Sequence, residues 1–84
     1  MHYVYVLLSE KDSKFYVGYT NNLDKRIDNH LKGLVSSTKN RLPLKLIYYE
    51  VCLNQQDATR REKYLKTTYG KRYLRSRLKC YLTG

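Results

Sequence analysis

Tyr5 and Tyr16 stand eleven positions apart, each in a short triplet, Tyr3-Val4-Tyr5 and Tyr16-Val17-Gly18. Ten residues after Tyr16 comes Arg26, and four after that His30, a spacing that shares one helix face. Two phenols, a guanidinium and an imidazole make a set suited to phosphate chemistry. A guanidinium binds phosphate oxygens in pairs and offsets the charge that grows on them during attack. An imidazole accepts a proton or, as a cation, binds phosphate. Phenols donate to phosphate, or orient and deprotonate a water. That last role needs a cation nearby, because an unperturbed phenol titrates at about 10. Each residue also has an ordinary use. With ten tyrosines in the chain, half-buried strand packing is common; His30 suits a helix–sheet contact, and Arg26 beside Lys25 suits a solvated surface.

Among seven carboxylates, Glu62 is set apart by its place in mid-helix, flanked by Arg60, Arg61 and Lys63 and near the apolar Ala58 and Leu65. Such a group can hold Mg²⁺, which commonly takes one or two carboxylates plus waters and substrate phosphate. It is equally placed for an intrahelical ion pair, which contributes only about 0.2–0.5 kcal/mol. Gly18 reads as a strand end without a side chain, where a bulky substrate can come close.

The elements that must position these groups follow from pattern. The Val- and Tyr-rich run 2–9 predicts a strand, 10–14 a polar turn, and 15–20 a second strand. The two phenols are then expected to meet across the hairpin. Asn21 or Asn22 can cap a helix over 22–32, with Asp24 in its first turn and Gly33 as its stop. Leu23, Ile27, His30, Leu31 and Leu34 supply its helical spacing. The polar stretch 35–42 reads as a mobile loop able to touch a ligand, and Pro43 suits the start of a strand. The nearly continuous apolar run 44–53 predicts the central strand of the sheet. Asn54 and Asp57 resemble a capping arrangement for a helix over 55–68. Tyr69-Gly70 is read as its break, and 71–82 as a last helix. The order β-β-α-β-α-α gives an α+β fold, a three-stranded antiparallel sheet flanked by helices, with residues 1–84 as one domain.

Charge is the strongest bulk signal. Seventeen Lys and Arg against seven Asp and Glu leave a formal net charge of +10 and a pI near 9.8. A domain this basic attracts a polyanion. The longest apolar run, 3–8, is far short of the ~20 residues that span a bilayer, and no secretory leader is visible. Nucleic acid is therefore the expected partner, in the cytoplasm. Cys52 and Cys80 form no C-x-x-C and are expected as buried free thiols; no zinc set is present.

The joint spacing resembles the GIY-YIG nuclease superfamily, and within it the small stand-alone bacterial domains. Tyr3-Val4-Tyr5 and Tyr16-Val17-Gly18 stand where that family has its two triplets. Residues 19–30 look like its turn and helix with arginine and histidine, and Arg60-Arg61-Glu62-Lys63 like the stretch with its glutamate. The likeness covers about residues 2–82. It implies that Tyr5 and Tyr16 orient, and one of them activates, the attacking water. It implies that Arg26 holds the scissile phosphate, that His30 assists, and that Glu62 is the sole protein ligand of one Mg²⁺ or Mn²⁺. The first triplet opens on Tyr3 where the family has glycine, and no asparagine follows Glu62, where many members have one. The activity that the resemblance implies is metal-dependent endonucleolytic hydrolysis of nucleic acid, DNA ahead of RNA. Lys39, Arg41, Arg60, Arg61 and Lys66 are the expected nucleic-acid contacts. The alternative is a non-catalytic nucleic-acid-binding module, using these cations with Lys71, Arg72, Arg75 and Arg77 and stacking tyrosines on bases.

Overall fold

A computed structural model describes residues Met1–Gly84. Strands β1 (His2–Ser9), β2 (Phe15–Thr20) and β3 (Leu44–Cys52) form an antiparallel sheet. Helix α1 (Leu23–Leu31) follows β2; α2 (Gln55–Leu65), α3 (Thr68–Arg77) and the short α4 (Lys79–Thr83) follow β3. The fold is α+β in the expected order.

The strand order is β2-β1-β3, so β1 is the central strand and not β3 as its apolar run suggested. Only Leu44 of β3 is buried, whereas Val4, Tyr5, Val6 and Leu7 of β1 have no exposed surface. The phenol of Tyr5 disguised this, since it reads as half-polar but is hydrogen-bonded inside. A bulge opposite Val6 and Leu7 further breaks the alternation along β3.

Successive β1 side chains face opposite sides of the sheet. Val4 and Val6, with Phe15 and Val17, pack against Ala58, Leu65 and Leu74 of α2 and α3. Tyr5, Leu7 and Leu44 face the other way, where Tyr16, Leu23, Ile27 and Leu42 close over them. The candidate chemistry lies on this second face, under α1.

Local signals explain the helix ends. The Asn22 side chain accepts from the Lys25 N–H, and Gly33 leaves α1 at φ +75°. Leu31 and Leu34, expected on its apolar stripe, are instead exposed. The Asn54 side chain accepts from the Gln56 and Asp57 N–H groups at the start of α2. The break after α2 falls at Lys66–Thr67 rather than at Tyr69-Gly70. The Thr67 hydroxyl caps α3 by accepting from the Gly70 N–H, which places Gly70 inside the helix. Its lack of a side chain serves packing: a Cβ there would strike the Tyr64 carbonyl and the Leu65 backbone. The expected last helix is two, divided at Leu78.

The stretch 35–42 is anchored, not merely irregular. Val35 and Thr38 are buried, and Lys39–Arg41 forms a 3₁₀ turn. Cys52 is half-buried and Cys80 exposed, so the expectation of two buried thiols holds for neither fully. No helix is long and apolar enough to cross a membrane.

Candidate active site

Tyr5 and Tyr16 do meet, but diagonally. Tyr5 lies opposite Gly18 and Tyr16 opposite Leu7, which leaves the two ring centroids 6.5 Å apart. The Tyr5 ring lies across Gly18, and a Cβ on Gly18 would collide with its ring atoms and hydroxyl. Gly18 therefore makes room for the Tyr5 ring, not for substrate as its position suggested.

Helix α1 brings Arg26 and His30 onto this pair. His30 Nε2 is 2.7 Å from the Tyr5 hydroxyl, and the Arg26 Nε–H donates to the same oxygen at 3.4 Å. The His30 ring also packs on Tyr16, with centroids 5.2 Å apart. The Tyr16 hydroxyl accepts from Ser37 Oγ at 3.2 Å. Four of the five catalytic candidates thus form one cluster.

Within it, access to solvent divides the roles. Tyr5 and His30 have no exposed surface, while Tyr16 and Arg26 are half-buried. Burial raises the Tyr5 pKa, the Arg26 hydrogen bond pulls it back in part, and the charges of Tyr16 and Glu62 raise it again. Tyr5 is therefore a neutral phenol at physiological pH. Burial, with the Arg26 charge, lowers the His30 pKa to about 4. A sealed, neutral imidazole is poorly suited to bind phosphate as a cation, and its Nε2 contact within the cluster is to Tyr5. The hydrogen bond to Tyr5 outweighs desolvation and raises the Arg26 pKa, which keeps the guanidinium charged.

Thr38, which the sequence did not single out, completes the chain. Its hydroxyl lies 2.7 Å from His30 Nδ1, its residue has no exposed surface, and Nδ1 is its only side-chain partner. The imidazole thus bridges Thr38 at Nδ1 and Tyr5 at Nε2, and the Tyr5 oxygen also accepts from Arg26. Nothing in the polar run 35–42 marks Thr38 or Ser37 apart from their neighbours; folding back of this run brings them to the cluster.

Glu62 stands on α2, one turn beyond the buried Ala58, with its side chain one-fifth exposed. It makes no hydrogen bond to the other four candidates. Its partner is Lys66, whose ammonium is 3.2 Å from Oε2, the ion pair that the helical spacing allowed. Its charge nevertheless acts on Tyr5. No group of three or more His, Cys, Asp or Glu side chains gathers anywhere in the chain. A single half-buried carboxylate suits Mg²⁺ or Mn²⁺, which keep waters and take substrate oxygens. It does not suit zinc, which requires three or four protein donors.

The expected nucleic-acid contacts divide. Lys39 and Arg60 are exposed, Arg60 with a surface pairing to Asp57 at 3.1 Å. Arg61 instead forks onto Glu50 with two bonds of 2.9 Å and lies over the rings of Tyr73 and Tyr64. Burial works to raise the Glu50 pKa, but bonds from Arg61 and the Tyr48 hydroxyl overcome it and hold the carboxyl below its usual range. Arg41 is fixed by Asp12 at 3.0 Å and by the Lys14 carbonyl at 3.2 Å. Both arginines are committed to holding the fold. Beside Arg26 a shallow cleft of about 220 Å³ is lined by Thr20, Asn21, Asn22, Lys25 and Asn29. It offers polar groups next to the guanidinium.

Residues 1–76 match the GIY-YIG catalytic domain. A UPF0213 protein of Clostridium perfringens is 46% identical over 67 residues, which span 79% of this chain and 71% of that one. A UPF0213 protein of Staphylococcus haemolyticus is 42% identical, over 79% of this chain and 80% of its own. The solution NMR structure of a UPF0213 protein from Bacillus halodurans superposes with a TM-score of 0.56 at 35% identity, covering 89% of this chain and 82% of that one. The chain belongs to the GIY-YIG catalytic domain family.

Proposed function

We propose that this protein is a metal-dependent endonuclease that hydrolyses phosphodiester bonds of nucleic acid, DNA ahead of RNA. One observation carries the reading: Tyr5, Tyr16, Arg26 and His30 form a single hydrogen-bonded and packed cluster.

Arg26, charged and half-exposed, binds the non-bridging oxygens of the scissile phosphate and offsets the charge that grows there. Tyr16 is the phenol with solvent access, and it orients the attacking water. Tyr5 is sealed and neutral, and its oxygen, hydrogen-bonded to His30 and Arg26, holds the guanidinium in place. His30 is a positioning residue that acts through Tyr5, with Thr38 holding the other side of its ring. Glu62 would hold one Mg²⁺ or Mn²⁺, which when bound supplies a Lewis acid for the leaving oxygen. For this the Glu62 carboxylate must exchange Lys66, a change made easier by the exposure of the lysine.

Single-stranded, duplex and branched DNA incubated with Mg²⁺ or Mn²⁺ test the reading. Hydrolysis is expected with wild type, and a loss of about 10²–10³ in rate with Arg26→Ala. Glu62→Ala should lose activity at every metal concentration. Cleavage that persists unchanged in both variants would place the chemistry elsewhere. Metal-independent binding with no cleavage by wild type would instead favour the non-catalytic module. The ion pair that already occupies Glu62 is the observation in its favour.

A further inference from the structure

The largest cleft in the molecule, about 520 Å³, is not the one beside Arg26. It is lined by Asp12, Lys14, Phe15, Arg41, Lys71 and Arg75. The turn between β1 and β2 supplies one wall and α3 the other. Four cations face one carboxylate, and that carboxylate is already taken by Arg41. Lys14, Lys71 and Arg75 are exposed, and none pairs with an acid. Lys71 and Arg75 are four apart on α3 and so share one helix face. The Arg75 guanidinium lies 4.9 Å over the Phe15 ring, which holds it by its flat face and leaves its N–H edges free to donate. From Thr68 onward the chain contains five basic residues and no acidic one.

We propose that this cleft is a second docking site, in which Lys14, Lys71 and Arg75 hold the phosphodiester backbone of a nucleic acid. The charge balance selects the ligand class, because nothing in the cleft neutralises these three cations. Its openness suits a continuous strand rather than a small anion, which would need enclosing donors. Phe15, at its floor, directly precedes Tyr16 in β2, and β2 is an outer strand of the sheet. A strand held at Tyr16 and Arg26 can therefore pass over this sheet edge and reach the cleft. Its phosphates beyond the scissile one would be gripped there, which would give a chain this short a longer footprint on substrate.

The inference rests on the proposed nucleic-acid substrate, and the test separates the two. Binding of a fluorescein-labelled single-stranded DNA is followed by anisotropy in EDTA over a range of salt concentrations. The double substitution Lys71→Gln and Arg75→Gln should weaken binding and reduce the magnitude of the log–log salt slope by about 1.4, at about 0.7 for each lost single-strand contact. Lys71→Arg with Arg75→Lys should keep the slope. Lys32→Gln with Lys45→Gln removes the same charge at cations paired with Asp28 and Glu10, and should leave it unchanged. Hydrolysis of bis(p-nitrophenyl) phosphate, too small to span both places, should be the same in the Lys71 and Arg75 double variant as in wild type. A slope unaltered by that double variant, or lowered equally by the Lys32 and Lys45 pair, would overturn the proposal. Wild-type chain that binds DNA with the expected slope but never cuts would sink the hydrolytic reading alone.

Discussion

Burial of a neutral imidazole ties the stability of this protein to pH. His30 titrates near 6.5 in an unfolded chain and at about 4 in the folded one. Between these values the unfolded state binds the extra proton, so stability is full above pH 6.5 and falls as pH drops towards 4. At about 1.4 kcal/mol per unit the loss approaches roughly 3 kcal/mol. Urea unfolding at pH 7 and pH 4.5 should show it, and His30→Gln should flatten the dependence. A wild-type midpoint that is level across this range would contradict the sealed imidazole. Of the residues involved, Tyr5, Tyr16, Arg26 and His30 were legible because strand and helix periods fix their spacing. Thr38 was not, since its partner is eight residues away across an irregular run. The role of Gly18 was misread for a similar reason: its neighbour is a ring on another strand.

Elements were legible where capping side chains and periodicity agree, as at Asn22 and Asn54. They were misjudged where burial depends on a partner. The β3 run is apolar yet lies outside, and β1 contains tyrosines yet lies at the centre. A polar contact joins α2 to β3, the fork of Arg61 on Glu50. Arg61→Ala removes two charged hydrogen bonds and leaves the partly buried Glu50 charge with only the Tyr48 hydroxyl. It is expected to lower the unfolding free energy by about 1.5–3 kcal/mol, read from the urea midpoint. Arg61→Lys should recover only part of this, because an ammonium cannot reproduce the fork. A midpoint unmoved by Arg61→Ala would show that the fork holds nothing.

For the molecule as a whole, net charge was readable from composition and its distribution was not. Cations counted alike in the sequence divide, once folded, into fixed ones such as Arg61 and Arg41 and free ones such as Lys71 and Arg75. The same holds for cohesion. Both hydrophobic clusters meet on β1, one on each face. The amides of Val4–Leu7 should therefore exchange with solvent only on global opening, the slowest in the chain, while β3 amides at the free edge exchange earlier. Hydrogen exchange followed by NMR checks this, and protection in β3 that outlasts β1 would refute it.

The Gly70 contact ties two of these surfaces together. Because α3 touches the α2 backbone with no methyl between them, the two helices cannot slide or tilt independently without losing that seat. Glu62 rides on one of them and Lys71 and Arg75 on the other. The spacing between the carboxylate and the distal cations is thus set like the gap of a caliper. On the proposed reading, a strand gripped at the far jaw would meet Glu62 in a fixed phase, and Gly70 is the residue that keeps that phase.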